Sequence, residues 1–157
     1  MIFIENKRTI EIDTKLYFRK KEESFDTEPA NCGDFTIMIG VHYLGIDISL
    51  DTMEVISIRG YCDRASWIND NNMRLNKQTK KCAIKVKPSE SEDWWFRGAA
   101  TDLLENIPIY FNKNTNWVCI GTTNNEQYDT CIEFINNCIM CLSNGEFRAL
   151  WLNPEFI

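Results

Sequence analysis

The sequence predicts an α+β domain: a mostly antiparallel sheet with one major helix, at about 124–143, packed on a face. Three observations predict it. Residues 34–61, DFTIMIGVHYLGIDISLDTMEVISIRGY, hold two β-branched runs around the turn Leu50-Asp51-Thr52-Met53, the pattern of an antiparallel hairpin. Ile109-Tyr110-Phe111 and Trp117-Val118-Cys119-Ile120 flank Asn112-Lys113-Asn114-Thr115 and make a second hairpin. Tyr128, Cys131, Ile132, Ile135, Cys138, Ile139 and Leu142 then recur at steps of three and four, an apolar stripe of helical period. Thr123 and Glu126 stand at capping-box spacing before the stripe, and Gly145 supplies a stop after it.

In chain order, Ile2 and Ile4 alternate toward the turn Glu5-Asn6-Lys7, and Ile10 and Ile12 return as the second strand of a first hairpin. Leu16-Tyr17-Phe18 extends a further strand. The charge block Arg19-Lys20-Lys21-Glu22-Glu23 reads as a solvated loop or strand edge, and Asp26 to Gly33 as a connection. In the central stretch the apolar parity changes from odd (Phe35 to Tyr43) to even (Leu44 to Leu50), which predicts a bulge or bend between Gly40 and Gly45. Side-chain matching sets the following register: Leu50 opposite Glu54, Ile48 opposite Ile56 and Ile46 opposite Ile58. Asp47, Ser49, Ser57 and Arg59 then share the other face. Asn69 to Asn72 is a polar loop, Cys82 to Lys87 an alternating strand, and Pro88 to Asp93 an acidic turn. A short helix is expected from Trp94 to Leu104, and Glu146 to Leu152 is a closing strand.

With 157 residues, 44% hydrophobic and 25% charged, the chain reads as one domain over 1–157 rather than a disordered segment. Its start, Met1-Ile2-Phe3-Ile4-Glu5, lacks the apolar run of a signal peptide, and no stretch has the length of a membrane span. Seven cysteines without an export signal imply reduced thiols in a cytoplasmic protein. The net charge of −6 favours a basic partner over nucleic acid.

Chemistry is sparse in this sequence. His42 is the single histidine and has no catalytic signature around it. The seven glycines form no phosphate-binding loop, dinucleotide fingerprint or nucleophile elbow. Cys131, Cys138 and Cys141 share a helical face, with Cys119 as a distant fourth, but structural zinc sites draw their ligands from turns, so filling the core is the simpler role. No metal and no cofactor is expected. Two other readings stay open. One is a small enzyme using His42 or carboxylates such as Asp47, Glu54, Asp102 and Glu105. The other is a nucleic-acid-binding module on the basic stretch 74–87, with Trp94, Trp95 and Phe96 close behind.

Gly60-Tyr61-Cys62, Ser66-Trp67-Ile68, residues 107–121 (IPIYFNKNTNWVCIG) and residues 132–156 (IEFINNCIMCLSNGEFRALWLNPEF) together resemble small bacterial immunity proteins. These are the partners of polymorphic toxins of contact-dependent growth inhibition and Rhs-type systems. The resemblance implies a non-enzymatic cytoplasmic protein that binds one toxin domain, often a nuclease, and neutralises it by contact. Nuclease surfaces are basic, so the acidic hairpin residues Asp47, Asp51 and Glu54 are the expected partner-binding residues.

Overall fold

The computed structural model of the chain describes residues 2–7, 13–30, 33–39, 44–87 and 107–157. In chain order its strands are β1 (Ile2–Asn6), β2 (Lys15–Arg19), β3 (Ser24–Glu28), β4 (Phe35–Ile39), β5 (Leu44–Ile48), β6 (Val55–Tyr61), β7 (Ile68–Asn69), β8 (Thr79–Lys81), β9 (Ala83–Lys87), β10 (Ile109–Phe111), β11 (Val118–Gly121), β12 (Thr130–Ile135), β13 (Cys138–Ser143), β14 (Glu146–Leu152) and β15 (Glu155–Phe156). They form three sheets. One has the order β15-β2-β3-β6-β5-β4, a larger one the order β7-β10-β11-β14-β13-β12-β8, and β1 pairs with β9 in a ribbon. Neighbours are antiparallel except at three short pairs: β15 with β2, β7 with β10, and β8 with β12. One apolar cluster joins all three sheets. It draws Phe18, Phe25, Ile46 and Ile58 from the first, Val118, Ile132, Met140 and Leu150 from the second, and Phe3, Ile84 and Val86 from the ribbon.

The major helix expected at about 124–143 is absent, and the α+β class falls with it: the described residues contain no α-helix. That span folds as a 3-10 turn at Asn125–Gln127 followed by β12 and β13. The cause is burial on both faces of the sheet. Cys138, Met140 and Leu142 enter the core shared by the sheets. Ile139 and Cys141, between them, join a second cluster on the opposite face with Cys119, Tyr128, Cys131 and Trp151. A strand apolar on both sides is a continuous apolar run, and such a run contains a 3.6-residue stripe as readily as a two-residue one.

The expected helix signals have other uses. Asn124, rather than Thr123, caps the 3-10 turn by accepting from the Glu126 N–H at 3.1 Å. Asn137 adopts φ +64° in the two-residue turn that lets Ile135 pair with Cys138. Asn144 and Gly145, at φ +52° and +78°, form the tight turn between paired Ser143 and Glu146. Two successive left-handed residues are what an Asn-Gly hairpin turn requires.

The central stretch holds three strands rather than two. Phe35 pairs with Ile48 and Ile39 with Leu44, so the change of parity is spanned by a reversal of the chain rather than a bulge within one strand. Residues 40–43, His42 among them, lie outside the described residues. Between β5 and β6 the expected pairs Ile46–Ile58 and Asp47–Ser57 form. Nearer the turn the register slips by one: Ile48 pairs with Val55, and the Ser49 N–H donates to the Glu54 carbonyl at 3.0 Å. Ile56 is the extra residue of a β-bulge there.

Two more expectations need correcting. β1 pairs with β9, while residues 10–12, its expected partner, lie outside the described residues. The connection expected from Asp26 continues as strand to Glu28, because β3 is held between β2 and β6. The hairpin of β10 and β11 and the closing strand β14 form as expected. The helix expected over Trp94 to Leu104 lies outside the described residues. Among those described, no helix is long and apolar enough to cross a membrane.

Candidate functional site

The tip of the β5–β6 hairpin is the first candidate surface. Leu50 is 40% exposed there, and Asp51 and Thr52 are exposed beside it. The tip is held from both sides. The Leu50 N–H donates to Asp34 Oδ2 at 2.7 Å, and the Met53 carbonyl accepts from the Val86 N–H at 2.8 Å. Met53 takes φ +59°, and its N–H closes the turn on the Ser49 carbonyl at 2.7 Å. The exposed apolar and acidic groups therefore sit on a backbone fixed in advance, which lowers the ordering cost of binding.

The three acidic residues expected at an interface have different fates. Asp51 is exposed at the tip. Asp47 is completely buried beneath it. Its carboxylate accepts from Thr36 Oγ1, Ser57 Oγ and Arg59 Nε, each at 2.6 Å. The sequence placed Ser57 and Arg59 on the face of Asp47, and they do converge, but on an internal brace across β4, β5 and β6. Glu54 is also buried, and its Oε1 accepts from Asn6 Nδ2 at 2.7 Å, tying β1 to the start of β6.

A second surface lies on the outer side of the seven-stranded sheet. Residues 71–76 cross it as an irregular strap, clamped at each end by one asparagine. Buried Asn112 donates from Nδ2 to the carbonyls of Asn71 and Met73 at 3.1 and 3.2 Å. Its Oδ1 caps its own turn by accepting from the Asn114 and Thr115 N–H groups. At the other end, Asn125 accepts from the Asn76 N–H at 2.7 Å and donates to the Arg74 carbonyl at 2.9 Å. The strap lays Met73 and Leu75 over the second apolar cluster and leaves Arg74 in solvent. Beside it opens a cleft of about 610 Å³, with Met73, Ile139 and Trp117 among its apolar walls and exposed Arg74 and Lys77 among its polar ones. Trp117 meets Trp151 edge to face, with centroids 6.3 Å apart.

The basic stretch 74–87 does not form one face. Lys80 pairs with Glu5 at 2.8 Å and Lys81 with Glu133 at 3.5 Å, whereas Lys85 and Lys87 stand opposite Ile4 and Ile2 on the ribbon. Trp94, Trp95, Phe96, Asp102 and Glu105, like His42, lie outside the described residues. The cysteines are divided by strand alternation. Cys138 faces the shared core, while Cys131, Cys141 and Cys119 face the outer cluster, so the Cys138–Cys141 pair cannot converge on one ion. Among the described residues no group of three or more His, Cys, Asp or Glu side chains is placed to hold a metal.

Sequence reasoning missed the two clamping asparagines and the Cys131–Cys141 pair. An asparagine at the end of a strand and the start of a turn was the available signal, because its amide can replace backbone partners there. Compared with known protein families and with characterised proteins, the chain matches none.

Proposed function

We propose that this chain is a cytoplasmic immunity protein that binds one basic toxin domain and neutralises it by stoichiometric contact. The observation that carries this reading is the braced hairpin tip, where exposed Leu50 and Asp51 are fixed by Asp34 on one side and β9 on the other. An apolar anchor beside an acidic rim on a rigid loop suits a basic protein surface. The net charge of −6 supports the same choice of partner, because it steers a basic domain toward the complex. Asp51 is the contact residue of the three, with Asp47 and Glu54 supporting the loop from within.

The test is calorimetric titration with the toxin-like domain encoded by the neighbouring upstream reading frame. Binding tighter than micromolar, weakened at least tenfold by Asp51→Lys or Leu50→Ala with unchanged thermal stability, is the expected result. No binding at micromolar concentration overturns the reading.

The cleft beside the strap favours a second reading, in which Trp117 stacks a base of single-stranded nucleic acid while Arg74 and Lys77 meet its phosphates. Two such contacts give a salt slope of about −1.4 in log K against log salt. A labelled oligonucleotide that binds with that slope, and is lost on Trp117→Ala, would select this reading over the first.

A further inference from the structure

We infer that Cys131 and Cys141 form a peroxide-reactive dithiol, a site of oxidative modification in which a hydroperoxide closes the pair to a disulfide and a thiol reductant reopens it. The two residues are direct cross-strand partners in the β12–β13 ladder. Residues so paired have Cα atoms about 4.5–5.5 Å apart, within the span of about 4.4–6.8 Å that a disulfide bridges, so the backbone need not move. Their sulfurs lie 2.6 Å apart without a bond between them, closer than two thiols pack. The other described cysteines are also buried, but none has a sulfur partner of this kind.

The surroundings supply a neighbouring cleft and polarity. The pair lies in the outer cluster under the strap, alongside Met73 and Ile139, both of which also line the cleft. Thr79, on the wall of the same cleft, is the ladder partner of Cys131. Cys131 is 2% exposed and Cys141 fully buried, so hydrogen peroxide reaches them through local opening of the strap or of these walls. The two thiols are unequal. The hydrogen bond shared with Cys141 draws the Cys131 thiol below its ordinary range against the opposing pull of burial and Asp129, and the Lys77 ammonium adds to the lowering. The same hydrogen bond, with burial, holds the proton on Cys141. Cys131 is accordingly the attacking sulfur and Cys141 the resolving one.

The chemistry balances in two steps. The Cys131 thiolate attacks one peroxide oxygen and the O–O bond breaks, giving a sulfenic acid and hydroxide. The Cys141 sulfur then attacks the Cys131 sulfur. The S–O bond breaks, and the sulfenic oxygen leaves as water with the thiol proton of Cys141, while the hydroxide of the first step takes up the proton that Cys131 released on becoming a thiolate. In sum, two thiols and one hydrogen peroxide give one disulfide and two waters, with the peroxide as oxidant.

The experiment treats the folded full-length chain with a small molar excess of hydrogen peroxide, followed by alkylation and peptide mapping. The expected first product has lost two hydrogens, carries two fewer free thiols than the untreated chain, and yields a cross-linked peptide joining Cys131 to Cys141. Dithiothreitol restores all the thiols. In Cys141→Ser, dimedone should trap a sulfenic acid on Cys131, and should the variant not fold, the wild-type map decides alone. A first cross-link through any other cysteine, sulfinic acid at Cys131 without a cross-link, or no mass change at a peroxide dose that oxidises a control dithiol overturns the inference.

Discussion

Replacing Asp47 with alanine tests whether the hairpin is braced from within. The carboxylate is fully buried and accepts from two hydroxyls and a guanidinium, all at 2.6 Å. Hydrogen bonds to a charged group contribute about 1.5–3 kcal/mol each. Arg59 is half-exposed, so water replaces most of its share, and the share it keeps is small. The two hydroxyls carry the rest, offset by the desolvation that the carboxylate no longer suffers. The net loss is about 3 kcal/mol, which in a chain of this length lowers Tm by roughly 6–12 °C. Thermal and urea unfolding under reducing conditions, followed by far-ultraviolet circular dichroism, read the change directly. A double-mutant cycle of Asp47→Ala with Ser57→Ala should show coupling of about 1–2 kcal/mol. A Tm within 2 °C of wild type, or additive single effects, would refute the brace.

The buried thiols make stability fall in alkali. Burial pushes the Cys62 thiol from an ordinary value of 9.0 up to about 12, and Cys119, Cys138 and Tyr128 are raised as well, also by burial. Above pH 9 the unfolded chain releases thiol protons that the folded chain retains. The stabilisation from Cys62 is therefore complete below pH 9 and drains away up to about pH 12, at about 1.4 kcal/mol per pH unit for each such group. Tm measured from pH 8 to 10.5 with reductant should drop progressively, and a flat profile would contradict the burial of these groups. Two glycines give a ranked test. A Cβ on Gly145 (φ +78°) would lie 2.6 Å from Ile2 Cγ2, a side chain able to move. One on Gly121 (φ +121°) would run into the Arg148 carbonyl and lie 2.8 Å from the Ala149 Cα, which cannot yield without shifting β14. Both alanine variants should lose at least about 1 kcal/mol in denaturant titrations, Gly121→Ala more than Gly145→Ala, and the reverse order would show that the sheet is more pliant than drawn.

The strands best read from sequence were short apolar runs with a polar turn between partners, such as Ile109–Phe111 with Val118–Gly121. The pairing of Asp47 with Ser57 and Ile46 with Ile58 was legible because only that register keeps like with like. The failure at 124–143 came from a sheet buried twice. Ile139 and Cys141 are as enclosed as Met140 and Leu142, so hydrophobicity no longer alternates along the strand and its period carries no message. What remained were the turns, Asn136-Asn137 and Asn144-Gly145, and these short signals were outweighed by a long stripe. The surfaces were less legible than the strands. Asp47 and Asp51 look alike in sequence, and the convergence of Thr36, Ser57 and Arg59 from the two neighbouring strands makes the first an internal group. The strap over the outer cluster depends on Asn112 and Asn125, each bonded to residues about forty to fifty positions away in the chain.

The three short parallel pairs have a consequence for how the molecule behaves in a crowded solution. β7 and β8 stand at the two ends of the seven-stranded sheet, and β15 at one end of the six-stranded sheet. Each is two or three residues long, and β8 carries Lys80 and Lys81. A long terminal strand offers a row of unpaired amides onto which another chain can add itself, whereas a two-residue cap ends that row almost at once, and lysines repel what approaches. Among the described residues, three of the four ends of the large sheets are closed this way, which leaves the five-residue β4 as the end along which a second copy could add itself.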